Sequence, residues 1–194
     1  NYQKRIAAKK ADGIIVISSF LEKYYAKCRK KTVKIPPVGK MNIILKPKRQ
    51  GIKLVYAGSP FSLVSGQNPE HFKDRLDLII ELISSLQTSS LDICLEVIGL
   101  KREEYLKVVT WHKKLLEASQ SIIFLGKISN KDVIQEISSA DFTILIRDSK
   151  RVTNAGFPTK ISESLLLGRP VITNLTSDIE DYIIDGRNGI IIPN

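Results

Sequence analysis

Short apolar runs alternate along the chain with longer stretches in which apolar residues recur every three to four positions. The runs are Ile14–Ile17, Lys53–Gly58, Ile93–Ile98, Ile122–Leu125, Phe142–Ile146, Val171–Thr173 and Ile190–Ile192. Each is bounded by turn-forming residues and reads as a buried strand. The periodic stretches predict helices over Phe20–Lys31, Asp74–Gln87, Glu103–Ala118, Lys131–Ser139 and from Pro158 to about Leu167. Residues 1–10 read as the end of a further helix. Ser18 or Ser19 and Asn130 suit the caps. Thr176 or Ser177 opens a short acidic helix reaching Ile184, and Asp185–Gly189 is a turn.

Apolar strands that alternate with helices build a parallel sheet covered on both faces. Right-handed crossovers make this a Rossmann-like, doubly wound α/β domain, with its ligand crevice at the carboxyl ends of the strands. Three strands close on glycine, at Gly58, Gly99 and Gly126. A missing Cβ there lets a ligand approach the backbone. The Lys- and Pro-rich stretch 36–51 reads as a linker. The chain therefore divides into a short unit over 1–35, the linker, and the main unit over 52–194. Asn1 and the Pro193-Asn194 ending read as cut points within a longer protein.

Charge changes this picture less than its total implies. The net charge is +10, yet the first 50 residues carry 14 Lys/Arg and 2 Asp/Glu, leaving 16 and 18 for the rest. A nearly neutral body is poor support for nucleic-acid binding. Lys23, Lys27, Lys30 and Lys31 form a basic helix face that is usually just solvated; contact with an anionic membrane is the alternative. No run approaches the roughly 20 apolar residues of a membrane span, and no secretory leader is visible. Cys28 and Cys94 lack metal-type spacing and read as reduced core thiols of a cytoplasmic protein. His71 and His112 have no metal or triad partnership and read as surface residues. No G-x-G-x-x-G follows the first strand, and no Walker A sequence is present.

The chemistry concentrates between Asn154 and Asn174. The stretch from Asn154 through Phe157 reads as a Gly/Pro loop that opens a helix, with Pro158 at the first helical position, where a missing N–H costs nothing. Gly168 suits the helix end and Pro170 bars continuation. Backbone N–H groups at the helix start, with Lys160, face whatever occupies the loop, and such ends attract phosphate. Glu163 lies one turn in, placed to accept hydrogen bonds from a ligand. The plain alternative is an ordinary crossover helix with Lys160 and Glu163 in solvent.

Six phrases, taken together, resemble a known family: Tyr56-Ala57-Gly58, Glu96–Gly99, Phe124–Ile128, Ala140-Asp141, Gly156-Phe157 to Glu163, and Gly168–Ile172. They resemble the C-terminal, donor-binding domain of retaining GT-B glycosyltransferases (glycosyl transferase group 1), the family that includes glycogen and sucrose-phosphate synthases. Residues 1–35 similarly resemble the end of the partner N-terminal acceptor domain. The resemblance implies sugar transfer with retention from a UDP-, GDP- or ADP-linked donor to a glycan, lipid or small-molecule acceptor, without cofactor or metal. It implies that Glu163 holds the ribose hydroxyls and that the backbone at Gly126, Lys127 and Ile128 lines the base. Gly156, Phe157, Pro158, Thr159 and Lys160 would meet the diphosphate and sugar, Gly58 and Ser59 would belong to the same donor site, and Lys73 would match the family's phosphate-binding lysine after the first strand. The catalytic residues would lie in the N-terminal domain, leaving this stretch inactive alone.

Two positions depart from the family pattern. Ala155 stands where the first acidic residue is expected, eight before Glu163, and Ser59 where an arginine usually follows the glycine. Asn154, Lys160 and Arg151 are candidates to take over those roles. The departures keep two other readings open: a nucleotide-sugar epimerase of the same fold, and a non-catalytic Rossmann-like interaction module.

Overall fold

In a computed structural model, residues 6–8, 10–28, 30–40, 50–64, 66–86 and 91–193 are described. The middle of the expected linker and the expected end of a helix at Gln87 lie outside them. Strand β1 (Gly13–Val16), helix α1 (Ser19–Ala26) and strand β2 (Lys31–Lys34) form a small parallel unit in which Ile14 faces Thr32. Ser18 caps α1, its Oγ accepting the N–H of Leu21. The helix stops sooner than its periodicity predicts because Lys31–Lys34 is drawn into pairing with β1. Its expected apolar face is only half covered, and no α1 residue is buried.

The main unit runs β3 (Ile52–Ala57), α2 (Leu76–Leu86), β4 (Ile93–Ile98), α3 (Arg102–Val108), α4 (Lys113–Ala118), β5 (Ile122–Gly126), α5 (Asn130–Ser139), β6 (Phe142–Leu145), α6 (Arg151–Ala155), α7 (Thr159–Leu166), β7 (Val171–Asn174) and β8 (Gly189–Ile192). All six strands are parallel, in the order β5-β4-β3-β6-β7-β8. Counted from β3 this is 3-2-1-4-5-6, the order of a Rossmann-like doubly wound sheet, with its switch point between β3 and β6. Leu54, Tyr56, Leu95 and Val97 face α2 and α3 on one side, against Leu76, Ile79, Ile80 and Tyr105. Val55 and Ile98 face Ile137 and Leu167 on the other. Each such side chain contributes about 1.5–3 kcal/mol by leaving water, so both faces are anchored.

Several local expectations are corrected. The helix predicted over 103–118 is two helices joined by a 3-10 turn at Thr110–His112. The β-branched run Val108-Val109-Thr110 is a poor helix former, and Val109 leaves helical geometry at φ −103°, ψ 66°. His112, expected at the surface, is buried, its Nδ1 2.8 Å from the Tyr105 hydroxyl and its Nε2 2.8 Å from Glu81. Cys28 and Cys94, expected in the core, are half-buried. Ser129 rather than Asn130 caps α5, and the acidic helix is a single 3-10 turn, Ile179–Asp181. Asn154 and Ala155 belong to α6 rather than a loop, and Pro158 is the cap of α7 rather than its first residue.

Candidate functional site

The strands flanking the switch point end in a buried charge cluster. Asp74 follows the β3 loop and is 0% exposed. Its carboxylate accepts the Tyr56 hydroxyl at 2.6 Å, the Arg147 Nε–H at 2.7 Å and an N–H of the Lys160 ammonium. Lys160 also donates to the Tyr56 oxygen at 3.1 Å, and its ammonium lies 4.5 Å from the centre of that ring. Backbone bonds fix each partner. Asp74 N–H donates to Pro60, Arg75 N–H to Ile146, and Asn174 at the end of β7 bonds both the N–H and the carbonyl of Arg147. Lys160 comes from the first turn of α7.

One carboxylate thus holds two cations. Burial alone would raise the Asp74 pKa, but Lys160 and Arg147 outweigh it and hold the carboxyl below its ordinary range. Burial drives Lys160 down to about 8 against the pull of Asp74, with Arg147 and Lys73 repelling its charge. Burial also pushes the Tyr56 hydroxyl well up, which keeps it a donor. Positive charge is left in surplus at the carboxyl ends of the strands.

The glycines make room for this. Gly58 has φ 149°, and a Cβ on it would strike the end of the Lys160 side chain. Gly99 has φ 113°, and a Cβ there would strike the Gly58 carbonyl. Both are positions where L side chains are strained as well as crowded.

Of the residues singled out in the sequence, Gly58 and Lys160 are in contact, and Lys73 is close enough for its charge to act on Lys160. Lys73, Ser59, Lys127 and Thr159 are exposed; Ile128 and Gly156 are half-buried; Gly126 and Pro158 are buried. The Phe157 side chain turns into the core, edge-on to Tyr182 at 4.9 Å, so only its backbone can meet a ligand. Glu163 is exposed one turn beyond Lys160, at a cavity of about 480 Å³ lined also by Asn130, Val133, Ile134 and Leu166. Partial burial raises its pKa, opposed by Lys160. Of the candidates to replace the missing family groups, Arg151 lies over the Tyr24 ring at 5.9 Å and Asn154 Oδ1 accepts the Ser177 N–H at 3.0 Å. Lys160 alone of the three reaches the strand ends.

Sequence reading missed Asp74, Arg147 and Tyr56. Asp74 and Arg147 are 73 residues apart, and no local spacing announces their pairing. The one available signal is a pair of charged residues bordering apolar elements. Among the described residues, no group of three His, Cys, Asp or Glu side chains could hold a metal ion, and no helix is long and apolar enough to cross a membrane.

Fold and charge cluster together define a Rossmann-like, doubly wound α/β domain with a cationic surplus at the switch point of its sheet. Residues 45–194 match the family described as glycosyl transferases group 1, and the chain belongs to it. Its fold is similar to TarM (15% identity, TM-score 0.72, 100% of this chain and 36% of that one). It is similar also to sucrose-phosphate synthase from Thermosynechococcus elongatus (16%, 0.68, 98% and 47%). A third likeness is to HepE of Anabaena in complex with UDP-glucose (15%, 0.66, 96% and 51%). The chain spans about half of these proteins or less. No curated protein matches it.

Proposed function

We propose that residues 52–194 are the nucleotide-sugar donor-binding domain of a retaining glycosyltransferase, joined through 36–51 to the end of an acceptor domain at 1–35. The observation that carries this reading is the pair of cations on one buried carboxylate, Arg147 and Lys160 on Asp74, beside Gly58 at the switch point. A diphosphate entering there meets surplus positive charge, the backbone amides at the start of α7 and close access to glycine backbone. Lys160 and Lys73 neutralise charge on the departing diphosphate as the sugar–oxygen bond breaks, which is where fixed charge accelerates transfer most. No metal or cofactor is needed for that task. Glu163 accepts the ribose hydroxyls, and the backbone at Gly126, Lys127 and Ile128 lines the base. The UDP-glucose complex of HepE favours UDP as the nucleotide. The acceptor is a glycan or lipid, and the cytoplasm, with peripheral membrane contact, suits such a reaction.

Calorimetric titration with UDP, GDP and ADP tests the reading. UDP is expected to bind, and Glu163→Ala and Lys160→Met each to weaken it about tenfold or more, the value of one charge-assisted hydrogen bond. Absence of nucleotide binding by the full-length protein would overturn it.

A further inference from the structure

We infer that Ser18, Lys34 and Asp178 are positioning residues that clamp the donor loop from outside its own sheet; this rests on the donor-site reading above. The segment Asn154–Ala155 leads directly into Gly156 and α7, so its placement sets that of Lys160 and Glu163. It is gripped from two sides. From the small unit, the Ser18 hydroxyl donates to the Ala155 carbonyl at 2.7 Å, and Ser18 is 0% exposed. From the loop after β7, the Ser177 N–H donates to Asn154 Oδ1, with Ser177 held at φ 55°.

Asp178 locks those two sides to each other. Its Oδ2 accepts the Ser19 N–H at 2.8 Å, the Ser19 hydroxyl at 3.0 Å and the Lys34 ammonium at 2.9 Å. Lys34 also reaches Ser19 Oγ at 2.8 Å and Asp181 at 3.2 Å. A carboxylate with three donors at the start of α1 is well matched to the partial positive charge there. Arg151 over Tyr24 and Phe157 against Tyr182 add one contact on each side of the gripped segment. Ala155 takes part through its carbonyl alone. The position that is acidic in the family pattern is therefore used here as a backbone anchor to the neighbouring unit.

The test compares the chain with Asp178→Asn, Lys34→Met, Lys34→Arg and the swapped pair Lys34→Asp with Asp178→Lys. Two readouts are taken: UDP affinity by calorimetry, and hydrogen exchange of the amides of 151–157 without nucleotide. Asp178→Asn and Lys34→Met are expected to speed exchange in 151–157 at least fivefold and to weaken UDP about five- to twentyfold, as coupled sites do. Lys34→Arg should recover most of both, whereas the swapped pair should not, because it leaves the Ser19 N–H and the start of α1 without an acceptor and sets a carboxylate against Asp181. Unchanged exchange in 151–157 overturns the clamp, whatever UDP does. Faster exchange with unchanged UDP affinity overturns its role in positioning the donor. If exchange responds but neither the chain nor the full-length protein binds any nucleotide, it is the donor reading that falls, and that role with it.

Discussion

Two buried ionic clusters stand at opposite ends of β3, and their balances are opposite. At the amino end, Lys53 places one ammonium between Glu96 at 2.7 Å and Glu136 at 2.6 Å, with the Ser139 hydroxyl at 3.0 Å. At the carboxyl end, Asp74 places one carboxylate between Arg147 and Lys160. The first cluster has a carboxylate in excess, and it has outlets. The Glu136 side chain is 32% exposed and can be hydrated, while burial already raises the pKa of Glu96 against the pull of Lys53. The second has a cation in excess and fewer outlets, since arginine does not lose its proton. Only Lys160 can yield, through a lowered pKa or by meeting an anion. The same construction serves as a structural tie where surplus charge can be hydrated, and on the proposed function as a binding site where it faces the strand ends.

The largest expected effect comes from removing the central group of the second cluster. Asp74→Ala strands Arg147 and Lys160, and chemical unfolding should show a loss of about 3–5 kcal/mol. Lys53→Met should cost less, about 2–3 kcal/mol, because its two carboxylates are better hydrated. In that variant Glu96, without its cation, has a folded pKa raised further above its unfolded value. Its deficit should therefore shrink as pH falls through the carboxylate range, whereas a purely steric loss would be flat with pH.

The smallest effect is the most diagnostic. The folded pKa of Lys160, about 8, lies below its unfolded value of 10.5. The folded state therefore sheds this proton first, and wild-type stability should rise between those two values. The gain over one pH unit near 8 to 9 should be about 1 kcal/mol relative to Lys160→Met, read from paired unfolding curves. Equal slopes for the two proteins would show that both clusters are simply structural ties.

The sheet was legible in the sequence because a buried parallel strand is a continuous apolar run, and β3, β4, β5, β6, β7 and β8 all announce themselves that way. The start and end of α7 were legible from Pro158 and Gly168, and Gly168 does take φ 70°. Helix α6 was not, because nothing periodic marks Arg151–Ala155. Thr153 caps it by accepting the Lys150 N–H at 2.8 Å, and Ser18 and Ser177 hold it from distant segments. The burial of His112 was hidden for the same reason, its partners Tyr105 and Glu81 lying on two other helices. Of the site, Lys160 was legible from its place at a helix start. Asp74 was not, because a charged residue before a helix ordinarily faces water.

The strand order also sets a sequence of assembly. The central pairing joins Lys53 to Asp141, 88 residues later, so no local hairpin can seed the middle of the sheet. Such topologies fold slowly. As synthesis proceeds from the amino end, β3, α2 and β4 emerge well before Arg147 and Lys160. Until those residues arrive, Asp74 has only the Tyr56 hydroxyl among its native partners. An unmatched carboxylate then opposes burial at the start of α2, so the first half is expected to dock less firmly until its cations arrive. Closing the ionic cluster and completing the sheet become a single late event.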